Sequence, residues 1–379
     1  MTGRLKVATI VGTRPELIKL SRVIAELDLR TDHVLVHTGQ NYDYELNGVF
    51  FEELEIRKPD HFLEAAGETA AATVGQVIER ADHVLSAETP NALLVLGDTN
   101  SCMAAYSAKR LKIPVFHMEA GNRSFDERVP EEINRRLIDH LSDINLPYTE
   151  HARRYLLSEG LDPARVIKTG SPMREVLSHH RDGIDGSDVL ARLELERDGF
   201  LVASAHREEN VDDPDRLRRL FEGLNALVET YDRPVVFSTH PRTRNRLDSL
   251  DGAEPDQRIR FLKALGFLDY IKLQREAFCV LSDSGSLTEE ASILDFPAVT
   301  LRDAHERPEG MDQATLLMSG LESERILQAV ALATDQHSRE TRRLDLVDDY
   351  KATNVSRKVV RIILSYIDYV RSTVWRETT

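Results

Sequence analysis

Short β-rich apolar runs, separated by helical patterns, limit this chain's possible folds more than any other feature. KVATIVG, HVLVHTG, ALLVLGD, IPVFHMEA, DINLPY and RVIKTG follow one another through the first half, and after a break come FLVASAH, RPVVFSTH, IRFLKAL, FCVLSDS and PAVTLRD. Such alternation is the pattern of a parallel sheet covered by helices on both faces. Two series in 379 residues predict two Rossmann-like α/β domains in tandem, facing a central cleft, and a chain of this length is too long for one core. The break near Lys168 to Ser171 sets expected domains of 1–169 and 170–355. Beyond it, Val359, Val360, Ile362, Ile363, Ile367 and Val370 recur at helical spacing, so the terminal segment 356–379 is expected to be a helix that packs back on the first domain.

Charge and cysteine usage exclude several classes. A net charge of −15, from 64 acids against 49 bases, argues against nucleic acid or an anionic membrane as the main partner. No apolar stretch reaches the roughly eighteen residues of a membrane span, and the protein is expected to be cytoplasmic. Cys102 and Cys279 lie far apart in apolar segments without zinc-like spacing. They read as buried free thiols, and no metal site is expected.

Open parallel sheets bind ligands at the carboxyl ends of their strands, so the residues leaving each strand are the candidates for chemistry. Glu119 follows the run IPVFHM, and a carboxylate there must be solvated, paired or used. Pro130 suits the first position of a helix whose first turn carries Glu131 and Glu132, where acids are favoured. Glu131 and Arg135 share a face at i, i+4, while Glu132 reads as a surface ion-pair partner. The first strand ends in Gly12-Thr13-Arg14-Pro15-Glu16, with capping-box spacing from Thr13 to Glu16. That predicts a helix start with free N–H groups for an anion, with Arg14 adding positive charge. Asp98 leaves the run ALLVLG, where an Asp alone would read as a helix cap. No G-x-G-x-x-G is present, which disfavours a bound dinucleotide.

The second series repeats the theme. His206 and Arg207 leave its first run and could hold a phosphate and supply a proton, whereas His240 reads as structural. Asp283-Ser284-Gly285-Ser286 is a small-residue turn, and the spacing from Ser286 to Glu289 again predicts a capping box, with a helix amino end open to a diphosphate. Arg307, within ERPE, adds a base near the same edge.

The stretches GTRPELIK, LVLGDTNS, HMEAG, VPEEINRR, AHREEN, DSGSLTEEA and RDAHERPE, in this order, resemble the non-hydrolysing UDP-N-acetylglucosamine 2-epimerases, which have the GT-B architecture. The resemblance implies that Asp98, Glu119 and Glu131 are the essential carboxylates and His206 the catalytic histidine. It implies that Arg14, Lys19, Arg135, Arg207, Ser284, Gly285, Ser286, Glu290 and Arg307 hold the UDP-sugar, Glu290 through ribose hydroxyls, with Tyr270 near the uracil. It further implies a homodimer that needs no cofactor and inverts carbon 2 through elimination and re-addition of UDP. Gln40-Asn41 stands where many members have Gln-His, in a region that helps bind a second, activating substrate molecule in bacterial enzymes, so activation of that kind is not implied here. The segments GNRSFDERV and ERPEGMDQA look like the branch acting on UDP-2-acetamido-2,6-dideoxy-L-talose. A GT-B glycosyltransferase, a hydrolysing epimerase and a non-catalytic UDP-sugar sensor are the competing readings. The first does not need the three acids, UDP accumulation marks the second, and the last requires the loss of at least one of the acids, none of which is missing.

Overall fold

The computed structural model describes residues 4–39, 48–127, 129–239, 255–263, 265–304 and 306–377. Gln40, Asn41 and His240 lie outside the described residues. The chain divides into two compact units, residues 1–179 with 349–379, and residues 180–348. The dividing points fall at 179/180 and 348/349 rather than at 169/170 and 355/356, because residues 170–179 are bonded to the returning chain. The Ser171 N–H donates to the Asp349 carbonyl at 3.1 Å, and the Ser356 N–H and hydroxyl both donate to the Glu175 carboxylate.

In the first unit β1 (Lys6–Val11), β2 (Asp32–His37), β3 (His61–Phe62), β4 (Ala92–Leu96), β5 (Val115–Met118) and β6 (Ile144–Leu146) form one parallel sheet in the order β3-β2-β1-β4-β5-β6. Every residue of β4 and β5 is buried, as strands covered on both faces require. One face packs Ile10, Val36, Val95 and Val115 against Val77, Ala81 and Leu85 of the helix Ala70–Glu88. The helix Arg14–Arg30 buries Leu17, Leu20, Val23, Ile24 and Leu27, and the terminal helix Val355–Tyr369 packs against it. That helix buries Val359, Val360, Ile363 and Ile367, each side chain worth roughly 1.5–3 kcal/mol against exposure.

RVIKTG does not form a strand. Only Val166 bridges to Asn145, and the chain then turns at Gly170, whose φ of +85° and crowded surroundings, with Ala352 Cβ 2.9 Å from a built Cβ, suit glycine. The two-residue strand β3 is absent from the runs read in the sequence.

In the second unit β7 (Leu201–Ser204), β8 (Val235–Thr239), β9 (Ile259–Lys263), β10 (Cys279–Ser282), β11 (Ala298–Thr300) and β12 (Leu317–Met318) pair in the order β12-β11-β10-β7-β8-β9, all parallel. Read from its other edge, this is the order of the first sheet. The direction of winding reverses between β1 and β4 in one unit and between β7 and β10 in the other, which opens a crevice at the strand ends of each sheet. The helices Pro214–Tyr231 and Ser323–Asp335 cover one face, and Phe267–Glu276 lies on the other. Cys102 and Cys279 are free and buried, and burial pushes the Cys279 thiol up to about 12. Among the described residues no helix is long and apolar enough to cross a membrane.

Candidate active site

In the first unit, the winding reversal places the loops after β1 and β4 side by side, with the loop after β5 next to them. Glu119 is the first residue beyond β5 and adopts a left-handed backbone at φ +62°. A non-glycine residue held there stores on the order of 1–3 kcal/mol of strain, so the surroundings must dictate it. They do so through Lys19, whose Nζ donates to both carboxylate oxygens of Glu119 at 2.7 and 2.8 Å. Lys19 is 5% exposed and Glu119 nearly as enclosed, so the two charges stabilise one another.

Behind Glu119 a buried network fixes the turn. The Gly121 N–H donates to Asp139, and a Cβ at Gly121 would stand 2.4 Å from the Ala152 carbonyl oxygen, so only glycine fits. Arg123 donates to Asp139 at 2.7 Å and to Glu159 at 2.6 and 2.8 Å. His117 Nε2 lies 2.8 Å from the Gly97 carbonyl, which can only accept, so that nitrogen carries a proton.

Asp98 does not cap the helical turn that follows it. Thr99 accepts from the Ser101 N–H in that role, and Asp98 instead accepts from Arg135 Nε at 2.6 Å. Arg135 also donates to Glu132 at 3.1 Å, so it serves Asp98 and Glu132 where a pairing with Glu131 was expected. The surface reading of Glu132 is corrected as well, because this side chain is fully buried and accepts from the N–H and hydroxyl of Ser124. Burial works to raise its carboxyl, but the Ser124 N–H and the Arg135 charge outweigh it and hold the group below the usual range. Asn134 donates to the Asp98 carbonyl at 2.8 Å, which docks the helix Pro130–Leu141 on the loop after β4. Glu131 sits half-buried in that helix's first turn. Gly97 faces Glu119, with a built Cβ 3.8 Å from Oε2. Asp98, Glu119 and Glu131 therefore gather at one end of one sheet.

The capping box expected from Thr13 to Glu16 is present, and two of the N–H groups after β1 are taken up rather than free. The buried Glu16 carboxylate accepts from the N–H groups of Gly12 at 3.0 Å and Thr13 at 2.7 Å, and from the hydroxyls of Thr13, Thr99 and Ser101. Burial pushes its carboxyl up despite these donors. Arg14 brings positive charge to this turn, and its guanidinium lies 4.8 Å from the centre of the Phe50 ring.

The second unit builds a different constellation. Asp283, fully buried at the end of β10, accepts from the N–H groups of His206 and Arg207 and from Asn210 Nδ2, and lies 2.9 Å from His206 Nδ1. Burial alone would raise its carboxyl, but the His206 charge and these donors bring it down to about 2. His206 is thus oriented with Nδ1 against Asp283 and its ring about half exposed.

Ser286 does not cap the next helix. Its backbone is already helical and its side chain makes no capping bond, while Glu289 turns inward to Arg307 at 3.2 Å. The turn is close-fitting for another reason. A Cβ at Gly285 would stand 2.7 Å from Glu306 Oε1, and Arg307 Nε donates to the Gly285 carbonyl at 2.9 Å. Glu306 is held between Arg207 at 3.0 Å and Arg302 at 2.9 Å. Ser284, Gly285, Thr288, Arg302, Glu306 and Arg307 line a small hollow. A larger one opens at the far end of the helix Leu287–Leu294, around Phe296, Leu317 and Leu344, and touches none of the candidate residues.

Tyr270 OH lies 3.1 Å from Ser204 Oγ, which lies 2.7 Å from Ser282 Oγ, and Ser282 Oγ accepts from the Ser284 N–H at 3.0 Å. Burial pushes the Tyr270 phenol up, so it stays protonated. Glu290 accepts from Gln274 at 2.8 Å. Sequence reasoning assigned no role to Asp283, Gln274 or Glu306, and it read Glu16 only as the capping-box partner of Thr13. Asp283 had a visible signal, an Asp at a strand end before a small-residue turn.

Comparison with known proteins shows the family. The family model for UDP-N-acetylglucosamine 2-epimerase matches residues 25–364. The solved structure of a UDP-N-acetylglucosamine 2-epimerase from Rickettsia bellii is 54% identical with a TM-score of 0.93, covering 99% of this chain and 100% of that one. The Methanocaldococcus jannaschii UDP-GlcNAc 2-epimerase, solved in complex with UDP-GlcNAc and UDP, is 34% identical with a TM-score of 0.88, over 95% of this chain and 100% of that one. A UDP-2,3-diacetamido-2,3-dideoxy-D-glucuronate 2-epimerase from Pseudomonas aeruginosa is 38% identical over 308 residues, 80% of this chain and 84% of that protein. The two six-stranded parallel sheets are those of the GT-B epimerases. With a family model spanning most of its length and full-length likeness to a solved member, the chain belongs to the UDP-N-acetylglucosamine 2-epimerase family.

Proposed function

We propose that this protein is a non-hydrolysing 2-epimerase that interconverts UDP-N-acetylglucosamine and UDP-N-acetylmannosamine. The observation that carries the reading is the gathering of Asp98, Glu119 and Glu131 at one sheet end, with Glu119 in contact with Lys19. The proton on carbon 2 has no neighbouring carbonyl, so a carboxylate cannot take it from the intact sugar. Departure of UDP from carbon 1, with the electron pair of the C1–O bond, develops oxocarbenium character that makes this proton acidic. Loss of the proton then forms the C1–C2 double bond of a 2-acetamidoglucal. Re-addition of UDP to carbon 1, with a proton delivered to the other face of carbon 2, completes the inversion.

Each step has residues suited to it. Glu119 meets Lys19 as a carboxylate, the form that accepts a proton, and Asp98 and Glu131 supply the second acid that inversion requires. A single group acting on one face would return the starting sugar. Lys19 and Arg135 position the sugar end, and Arg14 contributes charge for the UDP moiety. Ser284, Gly285, Ser286, Arg207 and Arg307 hold the diphosphate, and His206, oriented by Asp283, stabilises it as it leaves. Glu290 and Tyr270 bind the nucleoside. No cofactor enters this scheme.

The Pseudomonas relative is named for another UDP-sugar, so the sugar itself is the point to test. The segments 121–129 and 306–314 favour UDP-2-acetamido-2,6-dideoxy-L-talose as the second candidate. Incubation with each sugar nucleotide separately, followed by NMR of carbon 2, is expected to show inversion with UDP-N-acetylglucosamine. Inversion of the talose compound alone would transfer the same chemistry to that sugar, and an unchanged carbon 2 in both would remove the epimerase reading.

The proposed assembly is a homodimer in the cytoplasm. Ile133 and Leu137 are a turn apart on the helix Pro130–Leu141 and more than half exposed, and Tyr106 is exposed on the neighbouring helix Ala104–Arg110, which leaves an apolar surface suited to a second copy. Light scattering should give twice the 42.9 kDa chain mass, and a monomer at micromolar concentration would contradict the dimer.

A further inference from the structure

Gln274 has no part in the roles assigned above. It lies on the helix Phe267–Glu276, one turn beyond Tyr270, and is 1% exposed. Its Nε2 donates to Glu290 Oε2 at 2.8 Å. A carboxylate cannot donate when charged, so the amide must present its NH₂ to Glu290 and its Oε1 elsewhere. That Oε1 is buried without a hydrogen-bond partner. An apolar side chain of the same size would spare the buried Oε1 but take this donor from the buried Glu290 Oε2, so packing alone does not account for an amide. The amide directs an N–H to one oxygen of Glu290 and also lies beside the Tyr270 hydroxyl.

Glu290 sits in the first turn of the helix Leu287–Leu294 and is nearly buried. A carboxylate that is to accept from two neighbouring hydroxyls must hold its plane towards both, and a glutamate with three rotatable bonds does not do so unaided. We propose that Gln274 is a positioning residue for ribose recognition, holding the Glu290 carboxylate for the 2′- and 3′-hydroxyls so that the site selects ribonucleotide over 2′-deoxyribonucleotide sugars. This inference rests on the ribose role proposed for Glu290. A site built to bond a hydroxyl rejects the analogue that lacks it, because its own polar group is then left unpaired.

The test compares steady-state kinetics with UDP-N-acetylglucosamine and its 2′-deoxyribose analogue in the wild type, Gln274→Met and Glu290→Gln. Gln274→Met keeps the volume and removes the N–H. The wild type should prefer the ribonucleotide by about 10–100-fold in kcat/KM. In Gln274→Met the KM for the ribonucleotide should rise about tenfold with kcat within about threefold, and the preference should fall below about threefold. Glu290→Gln should lose the preference as well. Loss in Glu290→Gln with full retention in Gln274→Met overturns the inference. Retention in both overturns the ribose reading of Glu290, and the inference with it. Should Gln274→Met not fold, calorimetric titration of UDP and 2′-deoxy-UDP into Gln274→Asn asks the same question, and an unchanged ratio of affinities overturns the inference.

Discussion

Glu119→Gln is expected to bind UDP within about threefold of the wild type while losing epimerisation by about 10³-fold or more. General-base catalysis by a positioned carboxylate accounts for roughly 10²–10⁴ in rate, and the upper part of that range applies when the group also depends on an exact placement. About 4 kcal/mol of transition-state stabilisation is thereby removed from carbon 2. The nucleotide is assigned to residues of the other unit, so its affinity should be spared. The substitution also removes the negative charge that faces Lys19, which is 5% exposed and bonded to both oxygens of Glu119. Breaking an enclosed ion pair on one side costs on the order of 3–5 kcal/mol, so this variant should unfold at lower temperature than the wild type. Activity is therefore to be compared well below the melting transition, beside Lys19→Met with Glu119→Gln, which removes both charges and should regain stability but not turnover. Full activity in purified Glu119→Gln would discard the assignment of this residue.

Much of the fold was legible because strands buried on both faces read as continuous apolar runs, and β4 with ALLVL and β5 with VFHM are of that kind. β3 and β12 were not legible, since two residues carry no period. RVIKTG misled for the opposite reason, having strand composition at an edge where the chain turns away after one bridge. The site divides in the same manner. Asp98, Glu119, His206 and Ser284 could be found by their places just past strands, because the sheet alone fixes those places. Which charge meets which could not be read from spacing. Glu132 is buried because Ser124 folds back onto it and Arg135 reaches it, and Glu16 consumes the N–H groups that its own capping position had suggested were free. Asp283 belongs with these. Its burial follows from four donors, the His206 and Arg207 N–H groups, the Asn210 amide and the His206 ring, which the β7–β10 pairing brings around it.

Exchange with solvent at carbon 2 follows from the account and from few alternatives to it. A proton removed by a carboxylate is shared with that group's other sites and with water before the second acid delivers one to the opposite face, so the delivered proton does not come from the substrate. A transient oxidation at carbon 2 or a neighbouring carbon would instead carry the hydrogen away as hydride and return it. In heavy water the product epimer should therefore carry one deuterium at carbon 2, close to one label per molecule converted, with UDP-sugar rather than free sugar as the product. Mass spectrometry of the isolated product measures this directly. One added mass unit located at carbon 2 is the predicted result, and an inverted product without it would contradict proton transfer by Asp98, Glu119 and Glu131.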